Sequence, residues 1–234
     1  MLSVNGFRAA LRYLAMFKEG MICTVSLSFL TVVFGFLLAL VLALMRMSRV
    51  KPLSIFASIY VEVFRATPML VQLFIIYYIV FGGVNLPSFK LFGFIRFERF
   101  LPGVISLALN SAAYLSEIIR AGIQSIDPGQ SEAARSLGLT RRQTLQSIVL
   151  PQAMRTAFPP LSNSLISMVK DTSLAANITV TEMFMVTQRI VARTYEPLLL
   201  YLEVGLIYLI FSTVLTWVQR FGEKKLASYG HKEG

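Results

Sequence analysis

A run of 26 consecutive uncharged residues lies between Glu19 and Arg46, with the sequence GMICTVSLSFLTVVFGFLLALVLALM. A helix rises about 1.5 Å per residue, so this run is longer than the roughly 30 Å hydrocarbon core of a bilayer. A secretory signal peptide has a shorter apolar region followed by a small-residue cleavage site, whereas this run ends in RMSRVK. The run therefore predicts a retained transmembrane helix.

The composition of the 234-residue chain agrees with a membrane protein. Hydrophobic residues make up 56% of it and charged residues 15%, with a mean hydropathy of +0.67. So many apolar residues would overfill the cores of soluble domains and leave large exposed patches. The lone Cys23 excludes an internal disulfide and a multi-cysteine metal site, and the lone His231 lies close to the C-terminus. We predict no metal and no cofactor.

Four further segments complete a predicted all-α membrane protein with about five transmembrane helices. The spans are placed at about 20–46, 54–81, 101–120, 159–181 and 197–219, with a cytoplasmic loop at 121–158, in a single domain of residues 1–234. With the N-terminus outside, twelve Lys and Arg residues fall inside and eight outside, which is the bias of the positive-inside rule. Lys170 and Asp171 fall near the middle of the fourth predicted span, which should therefore be shielded from lipid.

The loop sequence SEAARSLGLTRRQTLQSIVLP, residues 131–151, predicts two short helices joined at a glycine. Ser125 or Asp127 can begin the first helix, Gly138 can end it, and Thr140 can cap the second, which the closing proline should disrupt. Out of context the pattern is typical of a DNA-binding helix-turn-helix. That interpretation is disfavoured, because the loop lies at a membrane and lacks the third helix that such a domain needs.

The same stretch resembles the EAA loop of ABC importer permeases. The matching positions are Glu132, Ala133, Ala134, Gly138, Ile148, Leu150 and Pro151. The segments 64–74, 110–134 and 159–176 look like the polar amino acid branch of this family, and the last two are most similar to cystine permeases. The resemblance implies a multi-pass permease subunit of an ATP-driven importer for a polar amino acid, with L-cystine favoured, in a bacterial inner membrane.

Several partners are implied by the resemblance. The EAA helices would dock on ABC ATPase subunits, an extracytoplasmic solute-binding protein would deliver the amino acid substrate, and a second permease subunit, identical or homologous, would complete the pathway within the membrane lipid. The residues agree on one point, because the sequence has no G-x-x-x-x-G-K-[ST] phosphate loop and another chain must therefore bind ATP. We predict that the chain is a pore-forming subunit and not an enzyme, and that it has no nucleic acid partner.

Polar side chains inside the predicted spans are candidates for the substrate path. A zwitterionic amino acid needs an acceptor for its ammonium group and donors for its carboxylate. The candidates are Asn110, Ser111, Tyr114, Glu117, Lys170, Asp171, Thr172 and Ser173, with Gln72, Asn163 and Asn177 as weaker additions. Interhelical hydrogen bonds that hold the bundle together are an equally good explanation for each Ser, Thr and Asn.

Two charge pairings are expected within the membrane. Glu62 and Arg65 are three residues apart on one helix face and can form an intramembrane pair beside the kink that Pro68 produces. Glu117 is a candidate partner for Arg65 or for Lys170, because a buried charge without a partner is costly.

The alternative function is an ATP-independent secondary transporter or channel subunit. Secondary transporters often show inverted repeats, and no internal repeat is evident in this sequence. Such a function would also leave the EAA-type loop without a role. A membrane-tethered DNA regulator is a third hypothesis, and co-purification with an ATPase rather than with DNA would separate it from the first.

Overall fold

The structure is a computed structural model that describes residues 4–228, with side chains from 17 to 225, so His231 lies outside the described residues. It confirms the predicted all-α membrane architecture. The helices are α1 (Val4–Arg46), α2 (Lys51–Ala66), α3 (Met69–Ile75), α4 (Phe97–Gln124), α5 (Pro128–Ser136), α6 (Arg141–Thr144), α7 (Leu150–Asp171), α8 (Met183–Thr194) and α9 (Pro197–Ser228). Three of these helices continue without a break into another helical form. A π-helical turn follows α3 at Ile76–Val80, a second follows α6 at Leu145–Val149, and a 3-10 helix follows α7 at Thr172–Ile178.

A small hairpin lies in the connection that leads to α4. Its strands are β1 (Lys90–Leu91) and β2 (Ile95–Arg96), which pair antiparallel with Lys90 opposite Arg96. Ile95 is buried in a cluster with residues of α1, α3 and α4, so the hairpin is fixed to the end of the bundle. The sequence predicted turns in this connection but not a paired hairpin.

Three helices of the described part are long and apolar enough to cross a membrane, and they are Phe17–Arg46, Phe97–Gln124 and Pro197–Lys225. A fourth candidate is the pair formed by α2 and the segment Met69–Val80, which are bent by 112° relative to each other. The predicted count of five is therefore not confirmed, since the segment predicted as the fourth span does not qualify by hydropathy.

The bend in the second predicted span lies at Thr67 and Pro68, where the backbone is extended. Pro68 disfavours a helical conformation of the residue before it and has no amide hydrogen to donate. The Gln72 side chain replaces the lost contacts, because its Nε2 donates to the carbonyl oxygens of Phe64, at 2.8 Å, and of Thr67, at 3.0 Å. A single buried side chain therefore satisfies backbone groups on both sides of the break.

The centre of the bundle is built around α1 and α4, which pack along each other. Their facing positions are small: Ala39 on α1 and Ala112 on α4 are fully buried, together with Ala57 from α2. Small residues let membrane helices approach closely, which increases van der Waals contact where lipid offers no hydrophobic driving force. The α1–α4 pair thus forms the scaffold on which α2 and α7 are placed.

The polar segment 159–181 corrects the predicted fourth span. Its helix, α7, begins at Leu150 and ends at Asp171, where the chain tightens into the 3-10 helix. The sequence had predicted Lys170 and Asp171 near the middle of a span. They lie instead at the C-terminal end of the α-helix. The next left-handed residue, Thr179 (φ +62°), ends this helical path before α8 begins.

Candidate functional site

The loop between α4 and α7 begins with a closely capped helix, α5. The side chain of Asp127 accepts a hydrogen bond from the amide of Gly129 at 2.7 Å, and Pro128 occupies the first helical position. At the other end, Gly138 adopts φ +85°, its amide donates to Arg135 O at 3.0 Å, and the amide of Leu139 donates to Ala134 O at 3.1 Å. This is a Schellman ending, in which the left-handed residue favours glycine because a Cβ would be strained there.

The second helix of the loop begins as predicted and ends much later. Thr140 forms a capping box, since its hydroxyl accepts from the amide of Gln143 and the Gln143 side chain accepts from the amide of Thr140. The prediction that Pro151 disrupts the helix is wrong. The π-helical turn just before it shifts the hydrogen-bond register where proline lacks a donor, and the chain stays helical from Arg141 to Asp171.

The outward face of α5 has the surface features of a docking site. Ala134 is buried against the rest of the loop, whereas Glu132 and Ala133 are exposed. Leu137, at the tip between the two helices, is 81% exposed. We call Glu132, Ala133 and Leu137 the coupling surface. An apolar side chain at the tip of a loop, flanked by a carboxylate, is suited to insertion into a groove of a partner protein.

A second feature is a polar cavity of about 380 Å³ between α4 and α7, which we call the central cavity. Its lining residues are Met69, Asn110, Ser111, Tyr114, Asn163, Ser164, Ser167, Met168 and Asp171. The cavity combines one carboxylate with hydroxyl and amide groups and two thioethers. Its volume is in the range of small-molecule sites.

The break in the second span helps to build this cavity. Asn110 Nδ2 donates to Gln72 Oε1 at 2.9 Å, so the side chain that bridges the break also positions one wall of the cavity. On the same side, the Tyr60 hydroxyl donates to Leu109 O at 2.8 Å. The Arg65 guanidinium lies 5.7 Å from the centre of the Tyr114 ring, which is within cation–π range.

One continuous helical path joins the coupling surface to the central cavity. The chain from Arg141 to Asp171 rises roughly 45 Å at 1.5 Å per residue. Its lower part is tied to α5 by a hydrogen bond from Gln152 Nε2 to Gln130 Oε1 at 3.3 Å. Its middle is packed tightly on α4, where a Cβ on Gly122 would lie 2.8 Å from Ala157 Cβ. The loop and the polar wall of the cavity are therefore parts of one continuous helical path.

Residues 31–228 match the family described as binding-protein-dependent transport system inner membrane component. The chain belongs to this family of permeases. It is 44% identical over 211 residues to the L-cystine transport system permease protein TcyB of Bacillus subtilis, covering 90% of this chain and 86% of that protein. It is 40% identical over 195 residues to the nopaline transport system permease protein NocM of Agrobacterium fabrum, covering 82% and 80%.

A crystal structure of an amino acid ABC transporter with histidines is similar to this permease in fold and sequence. The TM-score is 0.83 at 38% identity, with 94% of this chain and 98% of that chain covered. The permease is thus an inner membrane subunit of an ABC importer for amino acids, and ATP hydrolysis is performed by a separate ATPase subunit. These relatives support neither a DNA-binding loop nor a secondary transporter.

The permease brings only part of the predicted substrate path into the central cavity. Asn110, Ser111, Tyr114 and Asp171 line it. Lys170 and Ser173 line a separate, mostly apolar cavity of about 600 Å³ beside α8 and α9. Thr172 is fully buried and donates to Val169 O at 2.6 Å, which leaves it in a structural role.

Both predicted charge pairings are wrong. Glu117 forms salt bridges with Arg46 at the end of α1 and with Arg120 on its own helix, and not with Arg65 or Lys170. The expected Glu62–Arg65 pair does not form either, since within the described part of the chain no salt bridge joins them and Arg65 lies over Tyr114 instead. The Glu62–Arg65 pairing assumed that neighbours on one helix face bind each other, and the Glu117 pairings joined helices whose packing the sequence does not show.

Sequence reasoning missed Ser164, Ser167, Met69 and Met168 as lining residues of the permease cavity. A signal for the two serines was present, because 163, 164, 167 and 171 recur at helical spacing and are all polar. The two methionines carried no such signal, since an isolated methionine in an apolar segment is indistinguishable from a packing residue.

Proposed function

We propose that this permease transports L-cystine, that the central cavity holds the amino acid during passage, and that the coupling surface is where the ATPase subunit docks. One observation carries the proposal: a single helical path, Arg141 to Asp171, has the loop that matches the family motif at one end and a carboxylate of a polar cavity at the other. The choice of cystine is supported by the 44% identity to a cystine permease, while the 40% identity to a nopaline permease shows that related chains serve different substrates.

The groups around the cavity suit a zwitterionic amino acid. Asp171 supplies a carboxylate that can accept the ammonium group of the substrate. Arg65 lies over Tyr114, which lines the cavity, and its guanidinium is therefore placed to bind the substrate carboxylate. Asn163 and the serines provide amide and hydroxyl groups, and the two methionines offer soft sulfur contacts to a disulfide such as that of cystine.

A second permease subunit is needed to complete this site. Asn163, Ser167 and Asp171, which line the central cavity, are all exposed on α7. Polar and charged groups at membrane depth face other protein or a water-filled cavity rather than lipid. We therefore place a second copy, or a homologous chain, against this side of α7, so that the two central cavities face a shared pathway.

Coupling follows from the rigidity of the path. When an ATPase subunit moves the coupling surface, the force passes through the bonded α5–α7 contact and along α7. The tight crossing at Gly122 and Ala157 prevents α7 from moving without α4. The two helices that wall the central cavity then move together relative to the second permease subunit, and access to the shared pathway alternates between the two membrane faces.

The test is uptake of radiolabelled cystine by proteoliposomes that contain the permease, its ATPase subunit and its solute-binding protein. We expect uptake that requires ATP and the binding protein, and that excess unlabelled cystine suppresses but arginine and glutamine do not. Suppression by arginine or glutamine instead would refute cystine and leave the importer intact. Uptake driven by an ion gradient without ATP would refute the importer itself.

A further inference from the structure

A second charged cavity, of about 410 Å³, lies on the membrane side of the connection between α4 and α7, which we call the coupling loop. We call the cavity the arginine cavity. Three guanidinium groups line it: Arg49, from the connection between α1 and α2, Arg135 on α5 and Arg141 at the start of α6. Within the described part of the chain, no acidic residue lines it. All three arginines are exposed, and an anion in the cavity would be attracted to all three at once.

Two arginines near the cavity, by contrast, do have a carboxylate partner. Arg46 and Arg120, close to the same helix ends, share the carboxylate of Glu117. Among the described residues, by contrast, no salt bridge involves Arg49, Arg135 or Arg141. Arg135 donates only to a backbone carbonyl, that of Ser131 at 3.3 Å. Glu117 thus pairs with two arginines, whereas the three of the cavity have no carboxylate partner among the described residues and are available to an external anion.

The position of the cavity indicates which anion it meets. The apolar span of α1 ends at Arg46 and α4 ends at Gln124, and the cavity is lined by Arg49 and by Ile123, near those two ends. Lipid headgroups lie at this level of a membrane. Ile126 adds a second apolar contact, while the hydroxyl group of Ser131 adds a hydrogen-bond donor. A ligand with a charged phosphate and an apolar remainder matches such a lining better than a free ion.

We propose that the arginine cavity binds the phosphate of an anionic phospholipid in the cytoplasmic leaflet. Basic pockets between helices at this face of a membrane are suited to lipid headgroups, and each basic residue near an anionic surface contributes about 1 kcal/mol. A bound lipid would join Arg49 of the membrane bundle to Arg135 and Arg141 of the coupling loop. Anionic lipid would therefore hold the loop in the position from which it contacts the ATPase. The inference rests on the proposed function only for placing the loop on the cytoplasmic side.

The experiment titrates the purified transporter complex with phosphatidylglycerol in a mild detergent and counts bound lipid by native mass spectrometry. Phosphatidylcholine, which has the phosphate without net charge, and inorganic phosphate are separate arms. We expect tight binding of phosphatidylglycerol alone. Arg49→Gln should weaken it about 5-fold, which corresponds to about 1 kcal/mol, and the triple variant Arg49→Gln, Arg135→Gln and Arg141→Gln about 100-fold.

A matched triple variant, Arg142→Gln, Arg220→Gln and Lys224→Gln, removes three exposed cations that do not line the cavity, and its lipid affinity should stay at the wild-type value. Unchanged affinity in Arg49→Gln and in the cavity triple variant would overturn the proposal. Binding of inorganic phosphate as tight as that of the lipid would overturn the lipid assignment. If Arg49→Gln, which lies outside the loop, weakened ATPase binding in a pure phosphatidylcholine nanodisc, the cavity would belong to the subunit interface instead. None of these readouts depends on uptake, so failure here and failure of the importer are distinguishable.

Discussion

The coupling loop and the central cavity are built by different kinds of interaction. The loop depends on local signals: the Asp127 cap, the left-handed Gly138 and the Thr140 capping box all act within a few residues of chain. The cavity depends on contacts between distant segments, such as the hydrogen bond from Asn110 to Gln72. A change in the loop should therefore alter coupling while the bundle stays folded, whereas a change around the cavity should alter both folding and transport.

The largest effect is expected for Glu132→Lys, which reverses the charge at the centre of the coupling surface. Because Glu132 is exposed and forms no salt bridge among the described residues, the fold should not change. Uptake should fall to background, and ATPase binding in a pull-down should be lost. Glu196→Lys makes the same charge change at an exposed site just before α9 and should leave ATPase binding intact. Loss of thermal stability in Glu132→Lys would contradict the separation of loop and bundle.

The next effect is expected for Gln72→Leu, which keeps the side-chain volume and removes the hydrogen bonds across the break between α2 and α3. The carbonyls of Phe64 and Thr67 and the amide of Asn110 would each lose a partner inside the bundle. We expect a loss of about 1–3 kcal/mol in stability together with reduced uptake. Thermal unfolding in detergent measures the first and the vesicle assay the second. A variant with wild-type stability but no uptake would place Gln72 in substrate binding alone.

A smaller effect, with opposite signs at two glycines, is expected for alanine substitutions. At Gly122 the new Cβ would lie 2.8 Å from Ala157 Cβ, so α4 and α7 must separate, at a cost of about 1 kcal/mol or more. At Gly205 on α9 nothing lies within 4 Å, and alanine should stabilise the helix by up to about 1 kcal/mol. Equal melting temperatures for the two variants would show that the α4–α7 crossing is not tight.

The smallest effect is expected for the pairing of Glu117, which double-mutant cycles of thermal stability measure. Glu117→Gln combined with Arg46→Gln should be non-additive, with a coupling energy of about 0.5–1 kcal/mol, because the two side chains form a salt bridge. Glu117→Gln combined with Lys170→Met should be additive within about 0.5 kcal/mol, because Lys170 lines a different cavity. The reverse pattern would restore the pairing that the sequence had suggested.

The coupling loop could be predicted from the sequence more completely than the central cavity. The first helix of the loop and its ending at Gly138 were predicted correctly, and of the two predicted starts, Ser125 and Asp127, the structure has Asp127; each signal depends on residues adjacent in the chain. The fate of Pro151 was not, because a π-helical turn can accommodate a proline and leaves no clear pattern in the sequence.

The cavity was predicted in part. Polar residues in an apolar segment are conspicuous, and Asn110, Ser111, Tyr114 and Asp171 do come together. Glu117 and Lys170 are equally conspicuous in sequence, yet they lie elsewhere because the direction of a side chain is set by which helices pack together. One sequence shows which residues are polar but does not show which of them face the same space.

The central cavity and the coupling loop lie at the two ends of one helical path, so substrate binding at one end should affect the ATPase subunit at the other. The most direct measurement is ATP hydrolysis by the reconstituted complex, with and without amino acid and binding protein, for wild type and for Asp171→Asn. The wild-type rate should rise with substrate. Asp171→Asn should keep its basal rate and its ATPase subunit but lose the stimulation, because the substrate is no longer held at the far end of the Arg141–Asp171 path. Stimulation equal to that of the wild type would contradict this connection between the cavity and the ATPase subunit.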